Sequence, residues 1–168
     1  MVEDRMLSDA EVGALHEALD DEYKAVATYD RVLADFGAVR PFTNIVEAER
    51  RHVGALAEMF DRYGLSLPAN TWGERAPRYE SIRAACSAGV EGEIENGAMY
   101  ERLIAVTTHA DIIEVFENLQ RASQENHLAA FRRCASRYEG ESVGDDGDTG
   151  ERRGGMRRRR RHRGGSSA

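Results

Sequence analysis

The 168-residue sequence predicts an all-α protein, an antiparallel four-helix bundle with one long crossover between helices two and three. Three observations predict it. Four long stretches carry apolar residues at every third or fourth position, the period of a helix with one buried face. The links between them run short, long, short; short links make neighbouring helices antiparallel, and a long one crosses between pairs. No apolar run approaches the roughly 18 residues of a membrane span, and 41% hydrophobic with 32% charged residues suits amphipathic helices around a single core.

Ser8 or Asp9 can cap the first helix, which runs to about Phe36 on a stripe of Val12, Leu15, Leu19, Val26, Tyr29 and Leu33. Gly37 ends it, and Pro41 suits the first turn of a second helix that reaches about Tyr63 and stops at Gly64. Residues 65–77 form the crossover. The third helix spans about Glu80 to Thr107, weakened by Gly89, Gly92 and Gly97, which permit close packing or a local bulge. Asp111 caps the fourth, which ends near Tyr138, before Gly140. Residues 1–140 thus form one domain, and 141–168, rich in Gly, Asp, Arg and Ser, are expected to be disordered.

The net charge of −7 hides a division: residues 1–140 hold 25 acids and 15 bases, residues 141–168 hold 5 acids and 8 bases. An acidic body argues against nucleic acid as its main ligand. The run Arg157 to Arg161, followed by His162 and Arg163, is either a plain solvated tail or a contact for nucleic acid or an acidic surface. No apolar segment follows Met1, so no signal peptide and a cytoplasmic location are expected. Cys86 and Cys134 make no Cys-x-x-Cys site. They should face each other across helices three and four, within the 7 Å or so that a disulfide spans, as two small buried hydrophobes or as a redox pair.

Chemistry concentrates in Glu49-x-x-His52 on the second helix. Residues i and i+3 share a helical face, so a carboxylate and an imidazole there can ligate one metal ion. An internal repeat supplies further ligands. Glu22 is followed by Tyr29 and Glu93 by Tyr100, each seven residues on; His52 in helix two is matched by His127 in helix four, which places Gln124 opposite Glu49. Counted from the turns at 1.5 Å per residue, Glu22, Glu49, His52, Glu93 and His127 fall within about 10 Å along the bundle axis. Singly, each has an ordinary explanation: a rim glutamate, a hydrogen-bonded core histidine, a core tyrosine. Together they place three carboxylates in one interior, which costs several kcal/mol per ion unless cations compensate.

At these residues the chain resembles the ferritin-like superfamily of di-iron carboxylate proteins, including rubrerythrins, and is most similar to small prokaryotic ferritin-like domains of unassigned function. The resemblance covers residues 8–138. It implies a Glu from helices one and three and a Glu-x-x-His from helices two and four. Glu22, Glu49, His52, Glu93 and His127 match; Gln124 stands where the pattern has Glu, and Asn96 where rubrerythrins carry a further acid. The resemblance therefore implies iron, as two Fe or one Fe with Mn or Zn, with Gln124 a weak ligand that can reduce occupancy to one ion. Tyr29 and Tyr100 become hydrogen-bond donors to the ligating carboxylates. The implied activity is oxidation of Fe(II) by dioxygen or peroxide, as a ferroxidase or peroxidase. Without a rubredoxin-like Cys-x-x-Cys pair, reductants would come from outside. A homodimer is a further expectation. The competing reading is a bundle that binds metal without turnover, or holds none and serves as an assembly module.

Overall fold

The computed structural model describes residues 6–139; among these every regular element is helical and there is no strand. The expected disorder of 141–168 and the arginine run lie outside the described residues. The elements are α1 (Asp9–Phe36), α2 (Phe42–Arg62), α3 (Ile82–Ala105) and a fourth helix in three continuous pieces. Those pieces are α4 (Ala110–Ala122), a π-helical turn (Ser123–His127) and α5 (Leu128–Glu139).

Local chemistry sets most boundaries. The Ser8 hydroxyl accepts from the Glu11 N–H, and the Glu11 carboxylate accepts from the Ser8 N–H at 2.9 Å, a reciprocal cap. Gly37 leaves α1 at φ 81°, a conformation that costs glycine little. Gly64, at φ 66°, ends α2 and lets the Leu65 N–H return to the Phe60 carbonyl at 2.8 Å. Ser81 caps α3 through the Ala84 N–H. The fourth helix departs from expectation at its start: His109, not Asp111, holds the N-cap position. The Asp111 carboxylate accepts from the Ile112 N–H at 3.0 Å and reaches the end of α2, accepting from the Tyr63 hydroxyl at 2.8 Å and Arg62 at 2.9 Å.

The crossover between α2 and α3 lies along α1. Tyr23 donates to the Pro68 carbonyl, the Trp72 indole to Asp20 and Arg31 to the Gly73 carbonyl. The core falls into two apolar clusters. One contains Leu15, Leu19, Leu56, Phe60, Tyr100, Leu103 and Phe116; the other contains Tyr29, Val32, Phe42, Ile45, Phe131 and the Cys86–Cys134 pair. α1 and the fourth helix pass from the first cluster to the second; α2 and α3 pass from the second to the first. On every helix a polar interval separates the two. Cys86 and Cys134 are joined as a disulfide with Cα atoms 5.8 Å apart, tying α3 to α5. Among the described residues no helix is long and apolar enough to cross a membrane.

Candidate metal centre

The polar interval between the clusters holds Glu22 of α1, Glu49 and His52 of α2, Glu93 of α3 and His127 of the π turn, all buried. The three carboxylates are 1%, 2% and 3% exposed, so water does not neutralise them. They form two groups of three that share one member: Glu22, Glu49 and His52, and Glu49, Glu93 and His127. In each group one donor atom per residue lies within 4.8 Å of the others. His52 Nδ1 is 2.8 Å from Glu49 Oε2 and 3.3 Å from Glu22 Oε2. His127 Nδ1 is 3.1 Å from Glu49 Oε1 and 3.6 Å from Glu93 Oε1. The two imidazoles stack, with ring centroids 5.5 Å apart.

The tyrosines of the repeat reach across. Tyr100 of α3 donates to Glu22 of α1 at 2.6 Å, and Tyr29 of α1 donates to Glu93 of α3 at 3.2 Å. Tyr100 fixes Oε1 of Glu22 and leaves Oε2 facing His52, whereas Tyr29 and His127 Nδ1 both approach Oε1 of Glu93.

The electrostatics follow from this crowding. Burial and the Glu49 charge push the Glu22 carboxyl up to about 8, against the pull of His52 and Tyr100. Burial, with the Glu49 charge, also raises Glu93 against the pull of the nearby His127. Burial alone would raise Glu49, but the two histidines outweigh it and hold Glu49 well below the usual carboxylate range. Burial likewise depresses the imidazoles, yet the facing carboxylates prevail, raising His52 to about 10 and His127 to about 9. Protons on the two rings thus supply the positive charge that the interior demands.

The fit to a cation rests on atoms that protons leave unserved. Glu49 Oε2 and His127 Nδ1 are buried and, despite the short separations above, have no partner in hydrogen-bonding geometry. Glu49 Oε2 faces His52 in one group of donors, and His127 Nδ1 faces Glu49 Oε1 and Glu93 Oε1 in the other, so each group keeps an unserved donor atom. A mixed oxygen and nitrogen donor set with two shared carboxylate oxygens suits first-row divalent ions.

The fourth helix arranges its side chains differently from a regular α-helix. The Leu128 N–H reaches back five residues to the Ser123 carbonyl, so the turn carries an extra residue. Ser123, 1% exposed, takes the interior position. Gln124 lies against α3, donating from Nε2 to the Glu93 carbonyl at 2.6 Å. Gly97 makes room for it: a Cβ there would sit 2.5 Å from Gln124 Nε2. The expected turn from Gln124 to the carboxylate cluster assumed an unbroken α period, and the amide is instead engaged with backbone. Gly89 has a similar use, since a Cβ there would meet the Phe131 ring at 2.6 Å. The bulge sits in the facing helix, not at these glycines.

Asp21 and Asn96 also belong to the neighbourhood; the sequence marks Asn96 only as standing where rubrerythrins carry a further acid, and gives Asp21 no part. Asn96 Nδ2 donates to Asp21 Oδ2 at 2.9 Å. Asp21 stands between Asp20 and Glu22, and the repeat that singles out Glu22 does not reach it.

A family model described as "Uncharacterized protein domain (DUF2202)" matches residues 18–142. None of the curated proteins matches. Among solved structures, the chain is similar to hypothetical protein MJ0754 from Methanococcus jannaschii DSM 2661, with a TM-score of 0.72 and 25% sequence identity. That likeness covers 80% of this chain and 84% of the other.

Proposed function

We infer that this chain, which belongs to the DUF2202 family, is a metal-binding protein with a dinuclear centre, of the di-iron carboxylate kind. The observation that carries the reading is the pair of ligand groups sharing Glu49, with Glu49 Oε2 and His127 Nδ1 buried and unpartnered. Glu22, Glu49 and His52 would hold one ion, and Glu49, Glu93 and His127 the other. The passage of the four helices between the two apolar clusters supports a ferritin-like bundle with antiparallel hairpins and one crossover.

Three carboxylates against two divalent ions leave one positive charge for a bound anion to balance. Two Fe(II) ions would supply two electrons, enough to reduce dioxygen to peroxide or peroxide to water. The chain's own contribution is to hold that chemistry. Tyr100 and Tyr29 fix Glu22 and Glu93. The apolar clusters close the centre toward both ends of the bundle. His52 and His127 carry protons while no cation is present and give them up when one binds.

The test is aerobic Fe(II) titration with optical detection, alongside anaerobic metal analysis. The expected result is up to two ions per chain and an absorbance change on exposure to air. Metal uptake without any such change would leave a binding protein without turnover. No uptake at all would overturn the metal reading and favour an assembly module.

A further inference from the structure

A cavity of about 160 Å³ lies between α1 and α3 under the end of the crossover. Its floor includes Glu49 and Glu93, so it opens on the ion position that these residues share with His127. Glu91 and Glu95 stand exposed on its rim, and Asp21 and Asn96 line its wall. Among the described residues that line it, Lys24 is the only basic one. A water occupies roughly 10–15 Å³ in such a space, so the cavity admits a cation with a shell of water.

Asn96 makes this more than an acidic cleft. It is 8% exposed and its Oδ1 is buried with no hydrogen-bond partner. The bond from Nδ2 to Asp21 fixes which way the amide faces. The chain therefore spends a buried carbonyl oxygen beside a carboxylate, at a cost of about 1–3 kcal/mol if nothing ever occupies it.

We propose that the cavity between α1 and α3 is the path by which divalent cations reach the centre, and that Asp21 and Asn96 form a waiting site on it. This rests on the metal reading above. The waiting site offers oxygen alone, whereas the centre offers oxygen and nitrogen. A site with one carboxylate and one amide oxygen holds an ion by few donors and exchanges it readily, whereas the fuller set with histidine adds affinity for first-row metals. An ion thus moves from a labile pair to a tighter, more buried set. The rim acids raise its local concentration, and Lys24 opposes them.

The test is the rate of Co(II) uptake by the full chain, followed by stopped-flow absorbance, with final cobalt content measured separately. Asp21→Asn keeps the shape and removes the charge. It should slow loading by roughly 10-fold, the low end of the range by which charged clefts raise association rates, with final content equal to the parent. Lys24→Gln, on the rim and away from the centre, should speed loading instead. If both variants load at the parental rate, the path is elsewhere. Should Asp21→Asn lower the final content, Asp21 ligates in the centre and the waiting site is wrong. If Asp21→Asn fails to fold, the direction of the Lys24→Gln change decides. A parent that takes up no cobalt overturns both this proposal and the metal reading.

Discussion

Replacing Tyr100 with Phe removes one oxygen atom and tests the centre from both of its states. The Tyr100 hydroxyl lies 2.6 Å from Glu22 Oε1, and both side chains are buried. Above about pH 8, where the Glu22 carboxyl is ionised, a hydrogen bond to this charged group contributes about 1.5–3 kcal/mol, and the hydroxyl's loss leaves Glu22 Oε1 without its donor. In a protein of this size each kcal/mol moves the melting temperature by about 2–4 °C, so the cation-free variant should melt roughly 3–12 °C lower. With cations, the effect should be local. Residues that orient a ligand are worth about 10- to 100-fold in affinity, and Tyr100 orients only the Glu22, Glu49 and His52 position. Cobalt titration should therefore show one weakened ion and one nearly unchanged. Tyr29→Phe should weaken the other ion, and by less, because its bond to Glu93 is longer at 3.2 Å. The reasoning fails if Tyr100→Phe leaves melting and both affinities unchanged, or if it weakens both positions equally.

Three further outcomes follow from the same geometry. Glu49→Gln should abolish most binding of both ions, because Glu49 belongs to both groups; retention of one full ion by metal analysis would show that the carboxylate is not shared. Gln124→Glu should lower the melting temperature, since it sets a carboxylate against the Glu93 carbonyl that now accepts from Nε2; no gain in iron stoichiometry is expected, and a rise toward a tighter second ion would show that residue 124 reaches the centre after all. Glu11 gives a pH test remote from the metal. Burial would raise its carboxyl, but hydrogen bonds from His109, Thr108 and Ser8 outweigh this and hold it well below the usual range. A depressed carboxylate contributes stability above its ordinary pKa and loses it as pH falls through and below that range. The melting difference between the parent and Glu11→Gln, about 1.5–3 kcal/mol near neutrality, should therefore shrink steadily as the solution is acidified below about pH 4, and a difference independent of pH would refute the linkage.

The sequence by itself determined the helices and the residues that meet. Apolar spacing of three and four marks α1 through α3 because a helix repeats its face at that period, and Ser8, Gly37 and Gly64 punctuate them through chemistry that acts within a few residues. The Glu and His positions of the repeat were legible for the same reason: equal depth along paired helices follows from rise per residue. What only the tertiary structure decided are interactions between elements distant in the chain. Asp111 is a fair N-cap locally, yet His109 holds that position and the Asp111 carboxylate ties the helix start to Tyr63 and Arg62 of the α2 end. Gln124 lies one turn before His127 on an ideal helix, but an extra residue in the π turn moves Ser123 inward and lays the amide on α3. The seven-residue spacing puts Glu22 and Tyr29 on one face of α1, and the packing alone makes the hydroxyls cross between α1 and α3. Asp21 and Asp20 are told apart by distant partners, Asn96 for Asp21 and the Trp72 indole for Asp20. A period reports which face a residue occupies; which atom it meets there depends on the packing of the facing helix, and that is set by the whole core at once.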